Sequence, residues 1–319
     1  MGKRIGKRCR RVARYGLFWI PVLLIAWTNV AGQNVLFVRG ADRSGGFLEA
    51  SGNDDPSRTE QLADIFNASI SGGNHGWAEL RMALEAAGFS VTQRTETAET
   101  ASGPSAGLPV AFDQLDLGQY DVIVLGSNNA EYTAAQIDAV ETWIRTGGGA
   151  LFISDANFGS DWADAPDSDQ QFLDRFGLIM NQDNGTYVLR RSNGDFNRPD
   201  HPILAGVDAF DGEGVSPIVV QDTGDVVVRA RNSTRVNSPP FGNNNQGQTR
   251  SVNDFDGTLV VLESDLGRIA GHFDRNTFFN QNGAGTNINR FDNLTYAINL
   301  FTWLAEAGDE DLIFADGFE

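Results

Sequence analysis

Asp155 and His272 are the side chains of this sequence best suited to acid–base chemistry, because each lies at or just after the end of an apolar run that predicts a buried strand. A carboxylate in such a place can act as a general base, as a nucleophile or as the group that orients an imidazole. Asp155 equally suits a structural role, in which it accepts hydrogen bonds from backbone N–H groups. His272 suits either a catalytic base or a hydrogen-bonded structural histidine, so both interpretations stay open.

Further polar side chains follow the predicted strands, where ligands collect in open parallel sheets. We expect these groups to converge in one polar cleft and to bind a ligand there. The candidate ligand-binding residues are Asp42, Arg43, His75, Asn128, Asn129, Asn157, Trp162, Asp274 and Arg275.

Trp162 and the nearby Asp and Asn side chains suit a carbohydrate. A sugar ring has apolar C–H faces that stack on an aromatic ring, and its hydroxyls bond to carboxylates and amides. The alternative is that Trp162 anchors its loop or fills the core. The sequence therefore favours a small-molecule or glycan ligand without identifying it.

We expect neither a metal nor a cofactor. Asp161, Asp164 and Asp167 are close in sequence, but their spacing differs from that of a calcium-binding EF-hand loop. There is no G-x-x-x-x-G-K phosphate loop, and the glycines of Gly147–Gly149 precede a predicted strand rather than a helix.

Strand-like and helix-like segments alternate after residue 33, which predicts a mostly parallel sheet with helices on both faces. A hairpin and a last helix are predicted near the C-terminus, whereas residues 181–256 read as short β-like runs in Asn/Gly-rich loops. The predicted strands and hairpin arms are Asn34–Arg39, Phe89–Gln93, Tyr120–Leu125, Ala150–Ser154, Leu259–Glu263 and Arg268–His272.

Three helices are indicated by apolar residues at helical spacing. A fourth is indicated by a capping box of Ser168 and Gln171 before Phe172, Leu173 and Phe176. The first contains Trp77, Leu80 and Leu84, and the second begins at a capping box formed by Thr133 and Gln136. The last is predicted over Asp292–Ala305, with a buried stripe formed by Leu294, Ala297, Ile298, Phe301 and Leu304.

The first 32 residues are typical of a secretory signal. Met1–Gly16 carries seven basic residues and no acid, an apolar stretch follows over Leu17–Val30, and Ala31 and Gly32 supply a small-residue exit. An uncleaved membrane anchor is the alternative. We therefore expect a signal peptide over residues 1–32, an α/β domain over residues 33–307 with an insertion over residues 181–256, and an acidic tail over residues 308–319.

Export places the protein in the periplasm, at the cell surface or outside the cell. The whole chain has 24 basic and 42 acidic residues. Removal of the signal leaves 17 basic residues against the same 42 acidic ones, a net charge near −25. So acidic a surface repels nucleic acid and anionic lipid, which leaves the N-terminal segment, if uncleaved, as the expected contact with a membrane.

The order of these elements resembles that of the class I glutamine amidotransferase-like superfamily, and especially its ThuA-like, gliding-motility and intraflagellar-transport branches. The resemblance implies a flavodoxin-like α/β fold and, for the ThuA-like branch, a link to sugar metabolism. Four stretches carry it: NVLFVRG (34–40), YDVIVLGSNNA (120–130), WIRTGGGALFISDANFG (143–159) and GRIAGHFDRNTFFN with FDNLTYAINLFTWLA (267–280 and 291–305).

One departure from this superfamily bears on function. The resemblance implies a nucleophilic cysteine in the turn after the fourth strand and a late histidine, and here Ser154, Asp155 and Ala156 occupy the turn while His272 matches the histidine. The single cysteine, Cys9, lies in the predicted signal. Glutaminase chemistry has therefore lost its nucleophile.

Two functions follow from the sequence. The first is an exported domain without glutaminase activity that binds a glycan, another ligand or a partner at the cell envelope. The second is an extracellular, carbohydrate-active hydrolase that uses Asp155 and His272.

Overall fold

The computed structural model describes ten segments of the chain: residues 32–39, 64–70, 76–96, 109–127, 132–153, 168–180, 185–221, 224–230, 256–281 and 285–308. They form an α/β structure whose centre is one large mixed sheet. The strands are β1 (Asn34–Arg39), β2 (Ser90–Thr95), β3 (Val122–Ser127), β4 (Gly149–Ile153), β5 (Leu178–Met180), β6 (Thr186–Arg190), β7 (Ala209–Glu213), β8 (Ile218–Val220), β9 (Asp225–Arg229), β10 (Gly257–Ser264) and β11 (Gly267–His272). The α-helices are α1 (Ala78–Ala86), α2 (Ala134–Arg145), α3 (Ser168–Leu173) and α4 (Asn293–Ala305).

The main sheet has the strand order β2-β1-β3-β4-β11-β10-β8-β5, and β9 also pairs with β10. Each of the neighbouring pairs from β2 to β11 is parallel. β10 and β11 form an antiparallel hairpin, in which Leu259 pairs with His272. The predicted fold class, a mostly parallel sheet with a C-terminal hairpin and helix, is confirmed.

Two apolar layers cover the sheet because successive side chains of a buried strand point to opposite faces. Val35 and Phe37 of β1 pack on the face that carries α1 and α4. Leu36 and Val38 pack on the other face, with α2 and α3. The helices on both faces explain why β1 reads as a continuous apolar run.

The three glycines at the start of β4, Gly147–Gly149, allow close packing. Gly147 has φ +118°, a conformation that favours glycine. A Cβ on Gly148 would lie 2.4 Å from the Trp143 ring, and one on Gly149 would lie 2.3 Å from the Leu304 carbonyl oxygen. These glycines thus bring α2 and the end of α4 against the sheet.

The helix predictions hold with one correction. Trp77, Leu80 and Leu84 are buried, and Thr133 and Gln136 make the expected capping box. Leu294, however, is 37% exposed and does not belong to the buried stripe of α4. In the first turn of that helix the interior is filled by Asn293 and Tyr296 instead.

Residues 181–256, where the sequence pattern is weak, contain β-strands. β8 and β9 join the main sheet, where β8 pairs with β5 just before this region, whereas β6 and β7 pair with each other as a separate antiparallel ladder. In the part of the chain that the structure describes, none of the helices is long and apolar enough to cross a membrane.

Candidate functional site

The parallel strands end together at one edge of the sheet, which we call the carboxyl edge. Arg39 of β1 is the register partner of Ser127 of β3, and Ile153 of β4 is the register partner of His272 of β11. The strand order β2-β1-β3 reverses direction at β1, and α1 and α2 leave toward opposite faces of the sheet. Open α/β sheets bind their ligands beyond the strand ends at such a reversal, and we call this part of the carboxyl edge the crevice.

One side of this crevice has an ion pair whose arginine is buried. Arg39 is 5% exposed, and its Nε lies 3.6 Å from Asp64 Oδ2. Burial lowers the pKa of Arg39 from its usual value, and the Asp64 charge partly offsets that shift. The second oxygen of Asp64 accepts hydrogen bonds from the Gln93 amide (3.1 Å) and from the Phe66 backbone N–H (2.9 Å). Asp64 is therefore held in place from three directions.

Trp77 lies on the same face of the sheet. A Cβ on Gly126 would come within 2.8 Å of the Trp77 ring, so the glycine makes room for the indole at the end of β3. The Trp77 ring also meets Phe37 and Phe278 edge to face. Among the described residues its buried indole N–H has no acceptor.

On the opposite face, Glu96 and Tyr132 form a buried pair. Glu96 follows β2 and is 2% exposed, and its Oε1 accepts a hydrogen bond from the Tyr132 hydroxyl at 2.7 Å. The Tyr132 backbone N–H donates to Gln171 Oε1, also at 2.7 Å. Charged groups thus flank the ends of β1 and β2 on both faces of the sheet. Burial of a charge is costly unless it is paired, and each of these groups has a partner.

His272 is fully buried at the end of β11. Its Nδ1 lies 2.9 Å from the Tyr296 hydroxyl and its Nε2 lies 3.1 Å from Thr277 Oγ1. The Thr277 hydroxyl donates its single proton to the Asp211 carbonyl oxygen at 2.8 Å. It must therefore accept from His272, so we assign the imidazole proton to Nε2. Nδ1 is then the acceptor of the Tyr296 O–H.

The charge states of this pair follow from burial. Burial lowers the pKa of His272 to about 3, so the ring is neutral at pH 7. Burial also raises the pKa of Tyr296 well above its ordinary value, which keeps the phenol protonated. Both ring nitrogens of His272 are occupied, and neither can take a proton from a substrate unless one of these bonds opens.

Asp274 and Arg275 follow β11, as the sequence predicts, but both are buried. Oδ1 of Asp274 accepts from the Asn276 backbone N–H (3.0 Å), and Oδ2 accepts from the Glu213 backbone N–H (2.7 Å). Gly212 is needed beside them, since a Cβ there would lie 2.7 Å from Oδ2 of Asp274. Asp274 therefore joins the turn after β11 to β7.

A further buried carboxylate, that of Asp211 on β7, lies behind His272. It accepts hydrogen bonds from Asn293 Nδ2 (2.9 Å) and Thr286 Oγ1 (3.2 Å), and Arg290 Nε approaches to 3.1 Å. Burial raises the pKa of Asp211. The hydrogen bond from Asn293 and the charge of Arg290 act against that shift, with Asn293 the larger of the two. Together with Thr277 these bonds connect β7 to α4 and to His272.

The remaining sequence-predicted site residues lie outside the described segments: Asp42, Arg43, His75, Asn128, Asn129, Asp155, Asn157 and Trp162. Asp155 is two residues beyond Ile153, the register partner of His272. Among the residues that the structure describes, no three His, Cys, Asp or Glu side chains are grouped so that they could hold a metal ion.

Sequence reasoning missed Arg39, Asp64, Glu96 and Tyr132. Arg39 counted as the last residue of an apolar strand, and Glu96 lies in a stretch that reads as an exposed linker. The available signal was the position of a charged residue at the very end of a predicted strand. Its burial depends on neighbours that are distant in sequence.

Comparisons with known proteins agree on the fold. No family model matches the chain, and no curated protein matches it. Among solved structures, the N-terminal domain of mmIFT52 matches with TM-score 0.51 and 11% identity, over 85% of this chain and 97% of that one. The likeness shows the α/β fold alone.

Two further structures are less similar. A ThuA-like protein from Bacteroides uniformis ATCC 8492 matches with TM-score 0.44 and 15% identity, over 86% of this chain and 92% of that one. The β-galactosidase from Rahnella sp. R3 matches with TM-score 0.42 and 11% identity, over 88% of this chain and 32% of that one.

Proposed function

We propose that this chain is an exported ligand-binding domain on a class I amidotransferase-like frame, of the ThuA-like kind, without glutaminase activity. The observation that carries the proposal is the closed environment of His272, whose two ring nitrogens bond to Tyr296 and Thr277. A histidine in that environment stabilises the fold, and a base must be free to accept a proton.

The loss of glutaminase activity has a second support. Hydrolysis of glutamine through a covalent intermediate requires a nucleophile such as a thiolate. The single cysteine of the chain is Cys9, which precedes the apolar stretch of the predicted signal. A domain that begins near residue 33 has no thiol to offer.

The crevice at the carboxyl edge supports binding of a small polar ligand. Arg39 and Asp64 flank it on one face, and Glu96 and Tyr132 flank it on the other. Asn128, Asn129 and Asn157 follow the strands that end there, together with Trp162. Amides, carboxylates and an aromatic ring favour a glycan, whereas the acidic surface disfavours nucleic acid.

A hydrolase that uses Asp155 and His272 is the second candidate. Its support is the register of β4 and β11, which pairs His272 with Ile153, two residues before Asp155 in the sequence. Catalysis would require His272 to exchange one of its internal hydrogen bonds for the substrate.

A binding and turnover experiment separates these functions. The full chain is titrated calorimetrically with a panel of soluble oligosaccharides, and the same mixtures are assayed for released reducing ends and, with glutamine, for ammonia. Asp155→Ala and His272→Ala are compared with Asp113→Ala, which removes an exposed carboxylate outside the crevice.

The binding proposal expects no ammonia, no reducing ends and at least tenfold weaker binding in Asp155→Ala. Turnover that is lost in both Asp155→Ala and His272→Ala would assign the hydrolase instead. Unchanged binding of every ligand in Asp155→Ala would refute the crevice as the site. Since His272→Ala removes a buried group, its folding is first verified by circular dichroism.

A further inference from the structure

A second concave site lies at the opposite edge of the sheet, near the start of β11. It is a groove of about 370 Å³, within the size range of small-ligand sites. It is formed by the segment before β7, the start of β9, the end of β10 and the last turns of α4. Its lining residues are Arg198, His201, Gly224, Asp225, Val261, Leu262, Glu263 and Trp303.

His201 supplies a fixed hydrogen-bond donor to this groove. Its Nδ1 accepts the backbone N–H of Ile203 at 3.3 Å and so caps a short 3₁₀ turn. Burial, and then the charges of Arg198 and Arg268, lower the pKa of His201 to about 4. The ring is therefore neutral at pH 7 with its proton on Nε2. A metal ion would bind Nε2 only if that nitrogen were deprotonated. The Nε2–H group of His201 therefore suits a ligand that accepts a hydrogen bond rather than a metal cation.

Two carboxylates supply acceptors. Asp225 is 39% exposed and pairs with Arg198. Glu263 is 71% exposed, and its Oε1 lies 3.9 Å from Arg268 Nε. Arg268 also lies 3.6 Å from Glu306 Oε2, so two arginines stand against three carboxylates and an anionic ligand gains no net attraction.

The floor of the groove is apolar. Trp303 meets the His201 ring edge to face at 5.3 Å between ring centroids, and the Arg268 guanidinium covers the Trp303 ring at 5.1 Å. Val261 is buried beside it. These contacts fix Trp303 and His201, so a ligand would meet a preorganised surface.

We propose that this groove binds a neutral polyhydroxylated ring, such as one pyranose unit of a glycan. The hydroxyls of such a ring donate to Asp225 and Glu263 and accept from His201 Nε2–H and Arg198, while its C–H groups lie on Val261 and Trp303. The site is independent of the carboxyl-edge crevice, and the inference does not rest on the function proposed there.

The test uses methyl α-D-glucopyranoside, methyl α-D-galactopyranoside and methyl α-D-mannopyranoside as probes. Each is mixed with the full chain, and binding is measured by saturation-transfer NMR and calorimetry. At least one of the three is expected to bind, with a dissociation constant on the order of 1 mM. Glucuronate, which carries a negative charge, is expected to bind more weakly.

His201→Asn and Glu263→Gln test the contacts. Asparagine can still cap the 3₁₀ turn but loses the Nε2–H donor, and glutamine at position 263 keeps the shape of the glutamate. Each change is expected to weaken binding at least tenfold. Asp208→Asn alters a carboxylate that is 92% exposed and lines neither site, so it serves as the matched control and is expected to leave binding unchanged.

Three results would overturn the inference. One is the absence of saturation transfer from all three neutral glycosides at about ten times the expected dissociation constant. Another is equal binding by wild type and His201→Asn. The third is binding that Asp155→Ala abolishes while His201→Asn retains it, because the ligand would then occupy the crevice.

Discussion

Tyr296 gives the most direct test of the internal bonds of His272. Tyr296→Phe removes the hydroxyl that donates to Nδ1 and leaves that buried nitrogen without its partner. A buried acceptor left unpaired costs about 1–3 kcal/mol, so the free energy of unfolding should fall by that amount in urea titrations at pH 7. Tyr120→Phe, at a half-buried tyrosine packed on the other face of the sheet, is the control. Equal stability of both variants would contradict the assigned bonds.

Acid should destabilise the protein below pH 6.5 through its two described histidines. His272 and His201 have folded pKa values lowered to about 3 and about 4, against 6.5 for an ordinary histidine. Between these values the unfolded chain binds protons that the folded chain excludes, so stability falls as the pH falls from 6.5 toward 4. The slope is at most about 1.4 kcal/mol per pH unit for each proton. Asp211, whose pKa is raised by burial, acts in the opposite direction.

Unfolding free energies at pH 7, 6 and 5 check this pH dependence. As the pH rises above 6.5 the histidines of the unfolded chain also become neutral, so their contribution to the slope is small at pH 7 and fades above it. His201→Asn removes one of the two titrations and should make the loss between pH 6 and pH 5 smaller than in the wild type. A His201→Asn variant that loses as much stability between pH 6 and pH 5 as the wild type would show that His201 is not buried as described.

At the scale of elements, Gly149 determines how closely α4 can approach β4. In Gly149→Ala the new methyl group would lie 2.3 Å from the Leu304 carbonyl oxygen, which is backbone and cannot swing away. We expect the variant to lose about 3 kcal/mol or more in unfolding free energy. Gly118→Ala is the control, because its nearest heavy atom outside the adjoining residues is Asp116 Oδ1 at 3.4 Å. Similar stability of the two variants would mean that α4 can move.

The sequence predicts well those helices and strands whose pattern lies within a few neighbouring residues. β1 is a continuous apolar run, and Thr133 with Gln136 forms a capping box within one turn. Leu294 was misplaced because apolar spacing gives the face of a helix but not which turns of that face reach the core. The charged residues of the crevice, such as Arg39 and Glu96, were missed because their burial depends on residues that contact them only after folding.

The bonds behind His272 were equally beyond the sequence. Asp211 meets Thr286 and Asn293, which lie 75 and 82 residues further along the chain. Nothing in the residues around Asp211 indicates that its carboxylate is buried. A histidine at a strand end therefore reads as a candidate base until the partners of its two nitrogens are known.

At the scale of the whole molecule, the expected export would change the net charge of the protein. Met1–Gly32 contains seven of the 24 basic residues and none of the 42 acidic ones, so its removal shifts the net charge from −18 to about −25. A basic segment, an apolar stretch and a small-residue exit are the pattern that an export machinery reads. We therefore expect a chain that leaves the cytoplasm and begins near residue 33. N-terminal sequencing of the protein recovered from the periplasm and medium of a Gram-negative host measures where the exported chain begins.

Substitution within the apolar stretch distinguishes a cleaved signal from a membrane anchor. Replacing Leu23 and Leu24 with arginine puts two charges into a segment that must enter an apolar environment, so the doubly substituted chain should stay in the cytoplasm with Met1–Gly32 attached. Leu294→Arg, at an exposed leucine of α4, adds a charge elsewhere and should be exported like the wild type. Wild-type protein that sediments with membranes and retains its N-terminal segment would identify an anchor. The domain would then remain tethered at the envelope, and its ligand would have to be sought at that surface.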